Sequence, residues 1–483
     1  MIRAMNHLLH FEWLRITRSP MRAYAIIVFV LCGVYAIASG VEHVKDWEQT
    51  LEELQTRESE RRDQALTWFD AGLTGPEDRT YIDVSEPRWA DSYAAAYWTM
   101  KPEPLSALAI GLSDIRGSWV SISATTGSQP FETSDPGTLG NAEKLLAGNF
   151  DLVFVLAYLT PLLLLILLFD VGGLERDLGM MRLVRTQVAS SGVWMIRRVA
   201  LPVLVVTGLV ALLCVIGGVW SGALGSSSSS WLIFAGTALG YTVLWGVLFS
   251  VVLAGGAGTS TAALWMVGLW LGICVLVPAA VRQVVSQNHP VLFATELTTT
   301  LRSERYEILL SDVAEYEQGF YQRRPELARP SAASSSDWTS GMSQFIKQAE
   351  FLKLVDEVTD SLIRDETARE AAVARFGMIN PAYVFQRSLC VLAGTESDSY
   401  RAHRNDVLSA VAARLETLIE AQWNERSFDR AAFENLFVNG ASKHYGSIEK
   451  RGGYLNLLGL LGGAVLMVFL VASIQRKRER KFG

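Results

Sequence analysis

Six stretches of the chain carry no Asp, Glu, Lys or Arg: 23–40, 152–169, 199–219, 231–254, 262–281 and 454–474. Each is 18 to 24 residues long, which matches the roughly 20 helical residues that cross a bilayer core. A soluble helix of that length would show a polar face at helical spacing. These do not: Leu162 to Leu168 is apolar on every side. The pattern predicts an all-α membrane protein with six transmembrane helices, at 23–40, 150–169, 199–219, 231–254, 262–281 and 453–474.

Between the spans lie two long polar segments, 41–149 and 282–452. Val44, Trp47, Leu51 and Leu54 recur at three- and four-residue intervals, and Ala65, Trp68 and Phe69 extend that face. Phe345, Leu352, Val355, Val358 and Leu362 repeat the pattern, as do Val407, Val411, Leu415 and Leu418. Gly, Pro, Ser and Asp crowd 71–141, which reads as loops with short elements, and a Pro- and Ser-rich connection occupies 323–341. Both segments leave the membrane on the same face if the spans alternate. They are expected to build one mainly helical extracytoplasmic domain from two inserts, with 41–70 continuing the first span as a stalk.

Charge orients the chain. The short flanks are basic: 1–22 carries +3, 170–198 carries +2 and 475–483 carries +4. The long segments carry −10 and −4. Lys and Arg in short loops mark the cytoplasmic side, so both termini, an interfacial helix within 1–22, the 170–198 loop and the basic tail are expected in the cytoplasm. The inserts are then periplasmic. The net charge of −6 is the remainder of this asymmetry and argues against a nucleic-acid partner. A signal peptide ending near Ala36-Ile37-Ala38 is the competing reading of the start, but 18 apolar residues exceed the usual signal core.

Within the spans, Pro161 and Pro278 each remove a backbone donor and are expected to distort their helices. Gly236 with Gly240, Gly268 with Gly272 and Gly459 with Gly463 have the spacing of close helix contacts. Asp151 stands at the outer mouth of the second span, either lining a polar pathway or serving as a helix N-terminal acid. No enzymatic signature stands out. The sequence lacks H-E-x-x-H, G-x-S-x-G and Cys pairs at zinc spacing, and no Lys follows a Gly, so there is no phosphate-binding loop. Only Cys390 of the four Cys lies outside a span, which excludes a disulfide within the inserts.

Three motifs carry a family resemblance. Asn149-Phe150-Asp151-Leu152, then Tyr158-Leu159-Thr160-Pro161, then Glu175-Arg176-Asp177-Leu178-Gly179 resemble the second span and coupling segment of ABC-2-type transporter permeases. The chain departs from that pattern at Met180-Met181, where Thr-Leu is usual. Pro104 to Asp114, including Gly111, and Asn380-Pro381 with Gly394-Thr395 resemble motifs of the subgroup with large periplasmic inserts of unknown function. The resemblance implies the permease subunit of a bacterial inner-membrane ABC transporter, most simply an exporter. It implies a second permease subunit, and cytoplasmic ABC ATPase subunits that bind the ATP and Mg; no cofactor is expected in this chain. Membrane lipid and periplasmic proteins are further expected partners. Glu175, Arg176, Asp177, Gly179, Met181 and Arg182 are the expected ATPase-coupling residues. The alternative is a membrane-anchored periplasmic interaction or mechanotransmission protein with no transported substrate.

Overall fold

The computed structural model describes residues 12–438, apart from 74, 77, 80, 124–149, 188–190, 290–293 and 328–335, together with 442–443. The expected sixth span and the basic tail lie outside the described residues. So do 1–11 of the expected interfacial helix; 12–17 of it are helical.

Among the described residues, five helices are long and apolar enough to cross a membrane: Pro20–Asp70, Leu152–Asp177, Trp194–Trp220, Ser228–Ala254 and Thr259–Asn288. They fit a multi-pass membrane protein. They pack around one apolar core that includes Phe29, Ile37, Leu164, Val206, Phe234, Trp245 and Met266. Pro20 occupies the first turn of the first helix, where its missing N–H costs nothing. That helix runs unbroken for 51 residues to Asp70, so the stalk is a rigid continuation of the span.

Two spans contain π-helical turns, Val155–Leu159 and Gly272–Leu276, and a proline follows each closely, Pro161 and Pro278. Pro161 cannot donate to the carbonyl four residues back, that of Ala157. The Tyr241 hydroxyl donates to that carbonyl instead, at 3.0 Å. Trp270 Nε1 donates to the carbonyl of Tyr158 at 3.2 Å. The distorted spans are therefore stitched to their neighbours by side chains.

The glycine pairs correct an expectation. Cβ atoms placed on Gly236, Gly268 or Gly272 would meet no neighbour, and Gly459 and Gly463 lie outside the described residues. Close approaches between spans fall instead at Gly33, against Leu213, and at Gly246, against Val203, and Gly40 packs on the backbone of Ala107 in the first insert.

The two inserts pack together at one end of the bundle. Leu66 and Val84 share a core with Phe345, Leu418, Trp423 and Phe433. Arg414 is fully buried, and its Nε lies 2.7 Å from Asp91 Oδ1. The all-α expectation needs one addition, a three-stranded sheet. β1 (Ala96–Met100) pairs antiparallel with β2 (Trp119–Ile122) and parallel with β3 (Ser442–Lys443). Its aromatic and β-branched residues, Tyr97, Trp98, Thr99 and Val120, suit a half-buried pleated surface.

Candidate functional site: the two ends of the span bundle

At the end opposite the inserts, the expected 170–198 loop is mostly helical. After a bend at 169–172 the second helix resumes as Gly173–Asp177, breaks at 178–180, and continues as Met181–Gln187. The next helix starts at Ser191, eight residues before the uncharged run. Gly179 supplies the break, with φ of 69° and its N–H bonded to the carbonyl of Arg176.

Glu175 and Arg176 of the charged triplet turn inward, while Asp177 is exposed. Glu175 accepts from Arg198, whose Nε also lies 2.5 Å from Glu12 Oε1. Arg15 pairs with Glu12 at 3.1 Å and with Asp170 at 3.3 Å. Arg22 reaches Asp170 at 2.5 Å. Three arginines and three carboxylates thus form one neutral, largely buried network. It joins the 12–17 helix to the start of the first span, the bend after the second and the start of the third. Arg176 donates to the carbonyl of Ala257 at 2.9 Å, and Asp177 accepts from the N–H of Thr259 at 2.9 Å. These bonds add the connection before the fifth span to the same block.

Of the expected coupling residues, Met181 packs partly against the bundle core and Arg182 is exposed. Beside exposed Asp177 and Arg182, the block presents apolar side chains outward: Leu174, Leu178, Met180 and Leu183 are 43%, 63%, 50% and 56% exposed. The sequence reading named Glu175, Arg176, Asp177, Gly179, Met181 and Arg182, and did not find Arg198 as the partner of Glu175 or Glu12 and Asp170 as further members of the network. The available signal was Glu12, the single acid in a basic flank.

At the other end, the three remaining motifs converge. Asp151 is buried and caps the second span, accepting from the N–H of Phe154 at 2.8 Å. Its other oxygen accepts from the N–H of Ile110 at 3.0 Å. That is the helix-capping alternative, with the loop donor in place of headgroups. Gly111 has φ of 55°, and a Cβ there would fall 2.6 Å from Thr395 Oγ1. The Thr395 hydroxyl donates to the carbonyl of Ala109 at 2.8 Å, and the Leu112 N–H donates to the carbonyl of Thr395 at 2.9 Å. Pro104 begins the turn that leads into this loop, and Asp114 is half-buried just after it.

Asn380 and Pro381 start the helix Pro381–Ala393, with the Asn380 side chain accepting from the N–H of Tyr383 at 3.2 Å. Gly394 ends it in the left-handed conformation, φ 68°. Ala382, Phe385, Leu389 and Leu392 of this helix belong to the core of the span bundle. Phe385 stacks on Tyr241 with ring centroids 4.1 Å apart, near the middle of the fourth span. The second insert therefore sends a helix back into the bundle, which its helical periodicity alone did not reveal. Asn380, Pro381 and Gly394 mark the two ends of that wedge. Among the described residues, no group of three His, Cys, Asp or Glu is placed to hold a metal.

Residues 311–437 match the family model described as "Domain of unknown function (DUF3526)". That stretch contains Asn380 to Thr395 and Arg414. No curated protein matches the chain, and no solved structure does.

Proposed function

We propose that this chain is the permease subunit of a bacterial inner-membrane ABC transporter, most simply an exporter. Both termini then lie in the cytoplasm, and ATP hydrolysis belongs to a partner subunit. The observation that carries the reading is the exposed ledge of Leu174, Leu178, Met180 and Leu183 on a block fixed by buried ion pairs. A contiguous exposed apolar surface marks a docking site, and a rigid mount lets a partner's movement reach several spans at once. The basic character of the short flanks supports a cytoplasmic position for this end. The resemblance of 175–179 to the coupling segment of ABC-2-type permeases agrees with that placement.

A second reading, a membrane-anchored protein doing conformational work in the periplasm with no transported cargo, draws on the wedge helix Pro381–Ala393. Its contact with Tyr241 couples the inserts to the spans whether or not anything crosses. Purification of the chain in mild detergent from its own membranes tests the first reading. A nucleotide-binding chain is expected to co-purify, and Leu178→Asp with Leu183→Asp is expected to release it without lowering thermal stability. Transport by the reconstituted complex, against ATP-dependent movement of the inserts alone, separates the two readings.

A further inference from the structure

A pocket of about 540 Å³ opens where the two inserts meet, between residues 81–89 of the first and 421–427 of the second. Its volume falls in the range of small-molecule sites. The Phe428 N–H joins the two walls by donating to the carbonyl of Ser85 at 2.7 Å. The pocket therefore exists only when the inserts are packed together.

One wall is aromatic. The rings of Tyr81 and Trp89 lie 5.9 Å apart, edge to face. The Arg88 guanidinium lies over the Trp89 ring at 4.9 Å, which leaves Tyr81, 68% exposed, as the open ring. The facing wall is polar and carries Gln422, Glu425 and Arg426. Arg88 and Arg426 are matched by Glu86 and Glu425, so the pocket has no net charge to draw in an ion. It presents closely spaced donors and acceptors beside a ring face.

Glu425 is held there against its backbone preference. The Ser397–Trp423 helix ends in a turn in which the Arg426 N–H donates to the carbonyl of Ala421 at 2.9 Å. A turn of this kind puts one residue in the left-handed conformation, and glycine usually fills that place. Here it is Glu425, φ 52°, the only non-glycine residue with positive φ among the described residues. Strained residues of this kind cluster at ligand clamps, and this one places a carboxylate at the pocket wall.

We propose that this pocket binds a neutral carbohydrate, with the C–H face of a sugar ring on Tyr81 and its hydroxyls shared among Gln422, Glu425 and Arg426. A sugar hydroxyl donates and accepts at once, and amide, carboxylate and guanidinium groups each offer two positions to neighbouring hydroxyls. The weakly positive C–H groups suit the negative face of an aromatic ring. The proposal stands independently of the permease reading, because binding requires no ATPase partner.

The test uses the full chain in a detergent without a sugar headgroup, titrated with cellotriose and followed by saturation-transfer NMR. The equatorial hydroxyls of cellotriose leave flat C–H faces. Sorbitol, which has the hydroxyls but no ring, is the control. Cellotriose is expected to bind at least roughly tenfold more tightly than sorbitol, and Tyr81→Ala is expected to remove about that factor, the size of one aromatic contact. Tyr81 is exposed, so the variant retains its fold, and a melting curve checks this. Glu425→Gly is expected to weaken cellotriose binding several-fold while raising the melting temperature by a few degrees, because glycine relieves the backbone strain. A purely structural role for Glu425 would not move the two in opposite directions. Equal binding of cellotriose and sorbitol overturns the proposal, as does undiminished cellotriose binding in either variant.

Discussion

Arg414 of the second insert and Asp91 of the first form a buried ion pair, Nε to Oδ1 2.7 Å, inside the domain the two inserts share. The same guanidinium donates to the carbonyls of Asp91, Ala94 and Leu436. It thereby holds the helix Pro87–Tyr93 and the helix Arg430–Val438 against the Ser397–Trp423 helix. Removing one partner strands a charge in a dry interior, which costs about 3–5 kcal/mol. Arg414→Ala and Asp91→Ala are each expected to lower the melting temperature of the insert domain sharply and to expose both inserts to protease together. Cleavage of one insert with the other still protected would show that they fold separately.

Gly111 of the first insert packs closely against Thr395 of the second. Gly111→Ala forces a side chain into a left-handed backbone and into contact with Thr395. A loss of about 1–3 kcal/mol is expected, read as a drop in thermal stability in detergent. Thr395→Val keeps the shape but strands the Ala109 carbonyl, and about 1–2 kcal/mol is expected there. Wild-type melting for both variants would mean that the contact is not formed.

Arg198 is central to the opposite end, where it holds Glu12 and Glu175 together. Arg198→Ala leaves two carboxylates facing each other with little water, and about 3–5 kcal/mol is expected to be lost. Adding Glu12→Gln and Glu175→Gln removes the stranded charges and is expected to restore much of that stability. The restoration is the informative result, since independent contributions would give a triple variant no better than Arg198→Ala alone.

His403 is buried in the insert domain, and desolvation pushes its imidazole down to about 4, with Asp406 opposing. The unfolded chain takes up that proton near pH 6.5. Between these values the unfolded state binds more protons, so stability falls as pH drops from about 6.5 towards 4 and levels off below. The loss attributable to this group is on the order of 3 kcal/mol across that window. His403→Gln is expected to flatten the dependence, measured by thermal melts from pH 7.5 to 4.5. Parallel curves for variant and wild type would remove His403 as the cause.

The five described spans and the amphipathic faces were legible in the sequence because each rests on a local feature, an uncharged apolar run or a helical spacing. Trp47, Leu51 and Leu54 do line one core, as their spacing requires. What stayed hidden depends on contacts between residues far apart in the chain. Glu12 and Arg198 are separated by 186 positions and Asp91 and Arg414 by 323. No local pattern marks either pair. The wedge Pro381–Ala393 was hidden for a different reason. Its apolar face resembles that of any helix in a soluble core, and only the stack of Phe385 on Tyr241 reveals that it packs on spans. Along 173–183, Glu175 and Arg176 turn inward, Asp177 stays exposed, and Leu174, Leu178 and Leu183 turn outward, a division that the run of charges in the sequence does not mark.

The central claim is that the ledge around Leu178 receives a cytoplasmic ATPase. The most direct measurement places a photocrosslinking residue at Leu178, and a second at Tyr306 in the insert domain, in intact cells. Both side chains are more than 60% exposed. Irradiation is expected to join Leu178 to a chain bearing a phosphate-binding loop and to give no such adduct from Tyr306. If Leu178 yields no nucleotide-binding partner, or is reached by a membrane-impermeant reagent applied from outside the cytoplasm, the account is contradicted.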